Sequence, residues 1–578
     1  MKKRTPYLYA AAFAAALALA SFAAAQDGAR QFDPGHQQFH GFVPGSIVVS
    51  GTVYAGNAST VIPGETLPFG CQAGTVNVPL TTSGTTPVAV TCGSASDNGE
   101  YPNTHDSHNV WNNSNTDGSF GVSSPIVLWN LSPRGNFIGQ LNVPSDQIVT
   151  SFSSKSELAL NRSADGKSLT LMGYRGGPGC PTLTLSNGIL TQGANVGPIS
   201  PTAANLLDVS ASSTPGLCDP TDPAVATYAN APNPTAYYRS VAEVDPWGNI
   251  NYTDGDAYSG DNSRAAMKAD NWLYYSVGND NSGNLSKKQM GQTPLGFDLS
   301  HSTGAELFVP GALPLVPPAN NMISYFVLSG DKPGKDTNFR GLTIFNDTLY
   351  VAKGSGSNGI NTVYQLGAAG TLPTTSNAPA SGLNAEPYTV LPGFPTSTST
   401  TAGTGGYYPF GLWFANANTL YVCNEGDLAY TSGQVIGGQV NVADAGTLAT
   451  AGLQKWVLTT PQGGSPTWVL QYTIQNGLNL GAPYSVPDYP LSIAPATGGC
   501  RNIAGAVNAD GTSTIYAVTS TISQNGDNGA DPNKVVAVTD RLSDTQLATS
   551  GFLDTFVTVR SAHAGEAYRG VALAPEDF

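Results

Sequence analysis

Residues 410–426 read FGLWFANANTLYVCNEG, one copy of a pattern that recurs along the chain. A short apolar run is followed by a polar turn and then by a second apolar run that ends in small or polar residues. Two such runs joined by a tight turn predict a β-hairpin. The pattern returns as SELALNRSADGKSLTLMGYRG (156–176), SRAAMKADNWLYYSVGN (263–279), FRGLTIFNDTLYVAKG (339–354), CRNIAGAVNADGTSTIYAVTS (500–520) and, in part, YRGVALAPEDF (568–578).

The segments after these hairpins predict a second pair of strands in each unit. Examples are VAEVDPWGNINYT from Val241, WVLTTPQGGSPTWVLQYTI from Trp456, and KVVAVTD from Lys534 with TFVTV from Thr555. Four consecutive antiparallel strands, repeated along the chain, are typical of the blade of a β-propeller. We name the strands of each blade A to D, from the innermost to the outermost.

The last repeat contains only its first strand, GVALAP from Gly570. Three strands near the N-terminus, GSIVVSGTVYAG (45–56), PIVLWNLSP (125–133) and NFIGQLNVP (136–144), can complete it. Such closure would remove exposed sheet edges. We therefore expect an all-β propeller of six four-stranded blades, with seven as the alternative, in one domain over residues 45–578 whose last blade is closed by the N-terminal strands.

The repeat is similar to that of secreted β-propellers of the broad lactonase-like and NHL-like group, over nearly the whole chain after its first residues. The resemblance implies the propeller fold. It leaves function open, because one fold hosts many activities.

The first 25 residues predict export. Lys2, Lys3 and Arg4 precede an apolar run that ends in Ala23, Ala24 and Ala25, as in a secretory signal peptide. Residues 26–44 then form an extended lead, and we expect a secreted or periplasmic monomer without a membrane span. The net charge of −15 disfavours binding to nucleic acid or anionic lipid, which require a basic surface.

An even number of cysteines in an exported chain predicts disulfides. Proximity in the sequence pairs Cys71 with Cys92 and Cys180 with Cys218, which leaves Cys423 for Cys500, although about 15 connectivities are possible. We call the side of the propeller with the B-to-C connections and the starts of the A strands the loop face, and the opposite side the turn face. All six cysteines are predicted to lie on the loop face.

Four arginines recur near the starts of A strands: Arg264, Arg340, Arg501 and Arg569. Because A strands line the central channel, four guanidinium groups could ring its mouth and attract carboxylate, sulfate or phosphate groups. The alternative is that each arginine pairs with an aspartate or a carbonyl of the neighbouring blade.

Two acidic loops, DGDAYSGD (254–261) and NGDNGADPN (525–533), carry oxygen ligands of the kind that Ca²⁺ prefers. The candidate ligands are Asp254, Asp256, Asp261, Asp527 and Asp531. The alternative is a pair of solvated turns in which Asp and Asn side chains bond to their own backbone.

The sequence contains no complete motif of a zincin, a dinucleotide-binding site or a serine hydrolase. His105 and His108 form an HxxH in a segment too rich in Asn, Pro and Ser for a zincin helix. GSGSNG (354–359) is followed by INTVYQLG, which predicts a strand and not the helix of a dinucleotide site. No GxSxG nucleophile elbow occurs in the sequence.

The sequence is compatible with a non-catalytic and with a catalytic function. The first hypothesis is a non-catalytic propeller that binds an unknown ligand, anionic or saccharide, or another surface. The second is a calcium-dependent hydrolase or lyase of the lactonase or phytase type, in which a Ca²⁺ at the channel mouth polarises the substrate. A quinone-dependent dehydrogenase shares only the propeller shape.

The two short-range disulfides can be tested by peptide mapping of the exported chain without reduction. We expect one linked peptide pair containing Cys71 and Cys92 and another containing Cys180 and Cys218, because bridges between close cysteines would order the large loop-face insertions. Mapping after reduction is the control. Free thiols or other pairings at these positions would contradict the prediction.

Overall fold

The computed structural model describes most of the strands of the chain and their tight turns. It covers residues 39–53, 123–144, 148–151, 157–175, 239–255, 263–270, 273–278, 339–354, 360–372, 388–396, 407–426, 450–489, 494–522, 531–549 and 551–577, with 491 and 529, and strands at 66–67, 74–79, 87–94, 181–186, 189–195, 305–308, 430–436 and 439–443. The predicted signal peptide and residues 26–38 of the lead lie outside this set.

The described residues form five four-stranded antiparallel blades and, at a sixth position of the ring, a three-stranded sheet. Strands A to D of blade 1 are Asn161–Arg162, Leu169–Arg175, Arg239–Val244 and Ile250–Gly255. The three strands of blade 2 are Ser263–Lys268, Tyr274–Gly278 and Ala305–Phe308. Those of blade 3 are Phe339–Phe345, Thr348–Lys353, Thr362–Leu366 and Tyr388–Val390.

The remaining three blades are complete. Strands A to D of blade 4 are Pro409–Asn416, Thr419–Asn424, Gly452–Thr459 and Thr467–Ile474. Those of blade 5 are Ala496–Val507, Thr512–Ile522, Lys534–Arg541 and Val557–Ser561. Those of the closing blade are Glu566–Leu573, Ile47–Val53, Ile126–Leu131 and Phe137–Asn142. The predicted propeller of four-stranded blades is confirmed.

The closing blade joins the N-terminal strands to the last strand of the chain, as the repeat predicted. Val49 lies opposite Val571 on one side and opposite Trp129 on the other. The strand that contains Val49 is buried along almost its whole length. The Trp129 ring packs edge to face on Tyr568, with ring centroids 5.2 Å apart. Closure therefore builds an apolar layer and leaves neither of these strands as a free edge.

At Gly341 and Gly570, the A strands of neighbouring blades approach each other so closely that a side chain is excluded between them. A Cβ atom added to Gly341 of blade 3 would lie 2.3 Å from the carbonyl oxygen of Phe410 in blade 4. A Cβ atom on Gly570 of the closing blade would lie 2.3 Å from the backbone nitrogen of Leu160 in blade 1. Glycine follows the arginine in these strands because the next backbone occupies the space of a side chain.

Apolar side chains from facing sheets fill the space between the blades. Between the closing blade and blade 1, the buried cluster includes Val48, Leu128, Leu160 and Leu171. Between blades 3 and 4, the Phe394 and Trp456 rings stack with centroids 4.0 Å apart. Alternate residues of each strand contribute to these layers, as expected for sheets that are covered on both faces.

The structure also contains strands that the repeat did not predict. Residues 148–151 pair with the end of strand B of blade 1, and Ser123–Ser124 pairs with them in turn. The B-to-C insertions form small sheets of their own, from Thr66–Leu67, Gly74–Pro79 and Pro87–Ser94, from Pro181–Ser186 and Ile189–Asn195, and from Tyr430–Ile436 and Gln439–Ala443.

Two sequence predictions on individual segments can be compared with this fold. The residues after GSGSNG include strand Thr362–Leu366, so the strand predicted for INTVYQLG is confirmed. Within the described part of the chain, no helix has the length and apolar character needed to cross a bilayer.

The close approach of the A strands predicts a strong position effect for glycine substitutions. Gly570→Val should lower the free energy of unfolding by about 2–3 kcal/mol, because the new side chain would collide with the backbone of blade 1. Gly139→Val, in the outer strand of the same blade, meets no atom within 4 Å and should change it by less than about 0.5 kcal/mol. Chemical denaturation measures both, and equal effects would contradict the packing described.

Candidate functional site

The four repeated arginines lie in the A strands of blades 2, 3 and 5 and of the closing blade. Each of them is only 3–4% exposed. Arg264 and Arg340 are the second residues of their strands, whereas strand A of blade 5 and that of the closing blade begin several residues before Arg501 and Arg569. All four guanidinium groups are thus buried on the inner strands.

Three of these arginines contact a neighbouring blade. Nη1 of Arg264 donates a hydrogen bond to the carbonyl oxygen of Phe339, in strand A of blade 3, over 2.9 Å. Nε of Arg501 donates to Oε2 of Glu425 over 3.0 Å, and Nη2 of Arg340 lies 3.9 Å from Oε1 of the same carboxylate. The alternative of pairing between blades thus describes these contacts, with a glutamate in place of the expected aspartate.

Glu425 is positioned by the end of strand B of blade 4. Its backbone nitrogen donates to the carbonyl oxygen of Tyr408, and its carbonyl oxygen accepts a hydrogen bond from the Ser520 hydroxyl of blade 5. The next residue, Gly426, has a φ of +78° and donates its N–H to Oδ1 of Asn424. The chain turns sharply there, which fixes the carboxylate between blades 3 and 5.

A disulfide joins the two strands that carry this contact. Cys423, two residues before Glu425, is bonded to Cys500, next to Arg501. This is the pair that remained after the other four cysteines were assigned. The bond indicates an oxidising compartment. Cys71, Cys180 and Cys218 lie outside the described residues, as do His105 and His108, and only the backbone of Cys92 is described, in strand Pro87–Ser94.

Blade 4 breaks the arginine pattern where it supplies the glutamate. Phe410 precedes Gly411 just as Arg340 precedes Gly341, so a phenyl ring occupies the arginine position. The Arg340 guanidinium lies 5.9 Å from the centre of that ring. Sequence analysis did not single out Glu425. The signal that could have identified it is the absence of the repeated arginine from the same blade in which an acidic residue directly follows strand B.

The contact group formed by Arg340, Arg501 and Glu425 carries two positive charges and one negative charge. All three side chains are at most 4% exposed. Burial lowers the pKa of Arg340 below its ordinary value; the Glu425 carboxylate opposes this change and the Arg501 guanidinium adds to it. The carboxylate therefore offsets only part of the cost of burying two guanidinium groups.

Several donors in this region have no hydrogen-bond partner among the described residues. Within that part of the chain, Nε of Arg340, Nη2 of Arg501 and Nδ2 of Asn424 are buried without an acceptor. Side-chain polar atoms of Asn361 and Thr362, at the loop-face end of blade 3, are also buried without a hydrogen-bond partner among the described residues. Leaving a buried donor without an acceptor costs about 1–3 kcal/mol, so an added acceptor would be favourable here.

The candidate calcium ligands are not brought together by the described residues. Asp531 is buried, and its Oδ1 accepts a hydrogen bond from the Tyr489 hydroxyl over 3.0 Å. The backbone of Asp254 belongs to strand D of blade 1, whereas Asp256, Asp261 and Asp527 lie outside the described set. Within that set, no three His, Cys, Asp or Glu residues form a metal-binding group. The calcium site stays a prediction.

Comparisons with known proteins give no family. No protein-family model matches the chain, and no curated protein matches it. Among solved structures, the parainfluenza virus 5 hemagglutinin-neuraminidase ectodomain is 8% identical, with 90% of this chain and 89% of that chain covered and a TM-score of 0.28. A Synechocystis apocarotenoid oxygenase variant is also 8% identical, with 79% and 60% covered and a TM-score of 0.19. Such low scores carry no argument, so the fold assignment rests on sheet topology.

The shared carboxylate predicts that Glu425→Gln is strongly destabilising. The amide keeps the shape of the side chain but leaves two buried guanidinium groups without a counter-ion, which should cost about 3 kcal/mol or more of unfolding free energy. Glu576→Gln removes the partner of Arg162 in a pair that is 24–26% exposed, and should cost less than about 1 kcal/mol. Denaturant unfolding compares the two variants, and a near-neutral Glu425→Gln would contradict the assigned role.

Proposed function

We propose that this chain is an exported, non-catalytic β-propeller that binds a small anionic ligand at the group of Arg340, Arg501 and Glu425 on the loop face. The observation that carries the proposal is the pair of buried donors, Nε of Arg340 and Nη2 of Arg501, for which the part of the chain that the structure describes supplies no acceptor. Guanidinium groups recognise carboxylate, sulfate and phosphate through forked hydrogen bonds. An acidic saccharide presents such a group.

Charge supports the same ligand class. The two arginines and the glutamate sum to one net positive charge in a region shielded from water. A ligand with a single negative charge would neutralise the group, and it would bring oxygen acceptors for donors that are now unused. Both gains are larger in a buried site than at the surface, because electrostatic interactions strengthen as the local dielectric falls.

Export is supported by two independent features. Residues 1–25 have the charged, apolar and small-residue regions of a secretory signal. The disulfide between Cys423 and Cys500 fits an oxidising compartment.

Binding can be tested with acetate, glucuronate, sulfate and phosphate at constant ionic strength, by calorimetry and by the shift in Tm. We expect at least one anion to bind, and Arg340→Lys to weaken its binding about tenfold, because lysine keeps the charge but has no Nε donor. Arg162→Lys, in the partly exposed pair with Glu576, is the matched control and should bind as the wild type does. No binding of any of the four anions, or equal binding by Arg340→Lys, would refute the proposal.

A further inference from the structure

A row of polar and aromatic residues crosses blade 4 on the side turned toward blade 5. Trp413 lies opposite Tyr421, Tyr421 opposite Lys455, and Lys455 opposite Tyr472. Residues directly opposite each other in antiparallel strands share one face of the sheet. Atoms of Tyr421, Lys455 and Tyr472 reach blade 5 near its turn-face end, away from the proposed anion site.

Three members of this row, Tyr421, Lys455 and Tyr472, contact the carboxylate of Asp540 in blade 5. Its Oδ2 lies 2.9 Å from Nζ of Lys455, and both side chains are fully buried. The hydroxyl groups of Tyr421 and Tyr472 each donate a hydrogen bond to its carboxylate. Three donors from one blade therefore converge on one carboxylate of the next, an arrangement that holds a buried negative charge.

All three N–H donors of the Lys455 ammonium group are used by neighbouring acceptors. Besides Asp540, Nζ contacts the Tyr472 hydroxyl over 2.9 Å and donates to the carbonyl oxygens of Arg541 over 2.7 Å and Asp544 over 2.9 Å. An ammonium group has three protons, and these four acceptors already exceed that number. Lys455 therefore cannot serve a second carboxylate in addition.

A second carboxyl group, that of Asp554, is nevertheless buried against the strand that carries Asp540. The backbone nitrogen of Asp554 donates to the carbonyl oxygen of Thr539 over 2.9 Å, and its side chain makes a hydrogen-bonding contact with Asp540. Asp554 belongs to the C-to-D connection of blade 5, residues 542–556, and is 0% exposed. Its Oδ2 accepts a hydrogen bond from the backbone nitrogen of Ala548 over 2.6 Å, whereas no described residue donates to Oδ1. A carboxyl oxygen in that position is satisfied if the group is protonated and donates to Asp540.

We propose that Asp540 and Asp554 share one proton, and that this proton ties the C-to-D connection of blade 5 to the lysine and tyrosines of blade 4. The junction between the two blades then responds to pH. When the proton is present, one negative charge faces one ammonium group and the two carboxyl groups attract each other. When it is lost, two carboxylates repel each other beside a single cation.

The titration of Asp554 supports this arrangement. Burial, followed by its hydrogen bond with Asp540, raises the pKa of Asp554 to about 6, and Lys455 only partly opposes this change. The same surroundings raise the pKa of Tyr421 and of Tyr472, first by burial, so both phenols stay neutral donors. Among the described residues, the titratable groups that act on Asp554 from blades 4 and 5 are Asp540, Lys455, Tyr421 and Tyr472.

The direction of the pH effect follows from linkage. The pKa of Asp554 is higher in the folded chain than its ordinary value of 3.8. Its contribution to stability is therefore fully present below that value and is lost as the pH rises through about 6. Each pH unit between the two pKa values changes the unfolding equilibrium tenfold, so the total effect is at most about a hundredfold.

The first test compares Asp554→Asn with a matched control, Asp347→Asn. Both aspartates have a positive φ, 56° and 52°, which asparagine adopts equally well, and Asp347 lies in an exposed hairpin turn. Chemical unfolding at a series of pH values between 4 and 8 is measured for the wild type and both variants. We expect the wild type and Asp347→Asn to share the loss of stability between about pH 4 and pH 6, and Asp554→Asn to lack it. The same pH dependence in all three proteins would overturn the proposal.

The second test uses the wild type alone and does not depend on the folding of a variant. Hydrogen exchange, corrected for the intrinsic effect of pH, is measured on peptides that cover residues 542–556. Protection should be greater at pH 5 than at pH 7.5 in these peptides and unchanged in peptides that cover the strands of blade 3. Equal protection of residues 542–556 at the two pH values would overturn the proposal.

Discussion

The contact between the backbones of neighbouring A strands is the constraint on which the rest of this structure depends. Gly341 and Gly570 leave no room for a side chain between one blade and the next. The preceding residue in each strand is therefore held at a fixed place in the ring, against the neighbouring blade. An arginine at that place cannot extend into solvent, and its guanidinium group must be neutralised or hydrogen bonded within the ring.

Blade 4 meets this requirement for two neighbours at once. Its own arginine position holds Phe410, and its strand B is followed directly by Glu425, whose carboxylate faces an arginine from the blade on either side. One carboxylate cannot saturate two guanidinium groups, since each of them has five N–H donors. The unused donors follow from the geometry of the ring, and they are the physical reason for placing an anion there.

The blades and their closure could be predicted from the sequence. Of the candidate site, the arginines could be predicted but their partner Glu425 could not. Turn pairs such as Asn346-Asp347, where both residues have positive φ, and the lone final strand at Gly570 are local signals, so the blades and their closure were predictable. The positions of the arginines follow from the same repeat. The partner of Arg501 lies 76 residues earlier in the chain, in a blade that lacks the arginine, so only the order of blades around the ring reveals it. Strands such as 148–151 are too short to show a period of their own.

The junction of blades 4 and 5 contains buried ion pairs, whereas the pair of Arg162 with Glu576, between blade 1 and the end of the closing blade, is partly exposed. At its loop face, a disulfide and the contact of Glu425 with Arg501 cross it. In its middle, the Trp413 indole occupies the space that a side chain at Gly505 would need. At its turn face, Lys455 meets Asp540. Apolar layers tolerate small relative shifts, whereas buried ion pairs lose much of their energy when displaced. We infer that these polar contacts fix the relative position of blades 4 and 5. They thereby hold the Arg501 guanidinium group in place against Glu425.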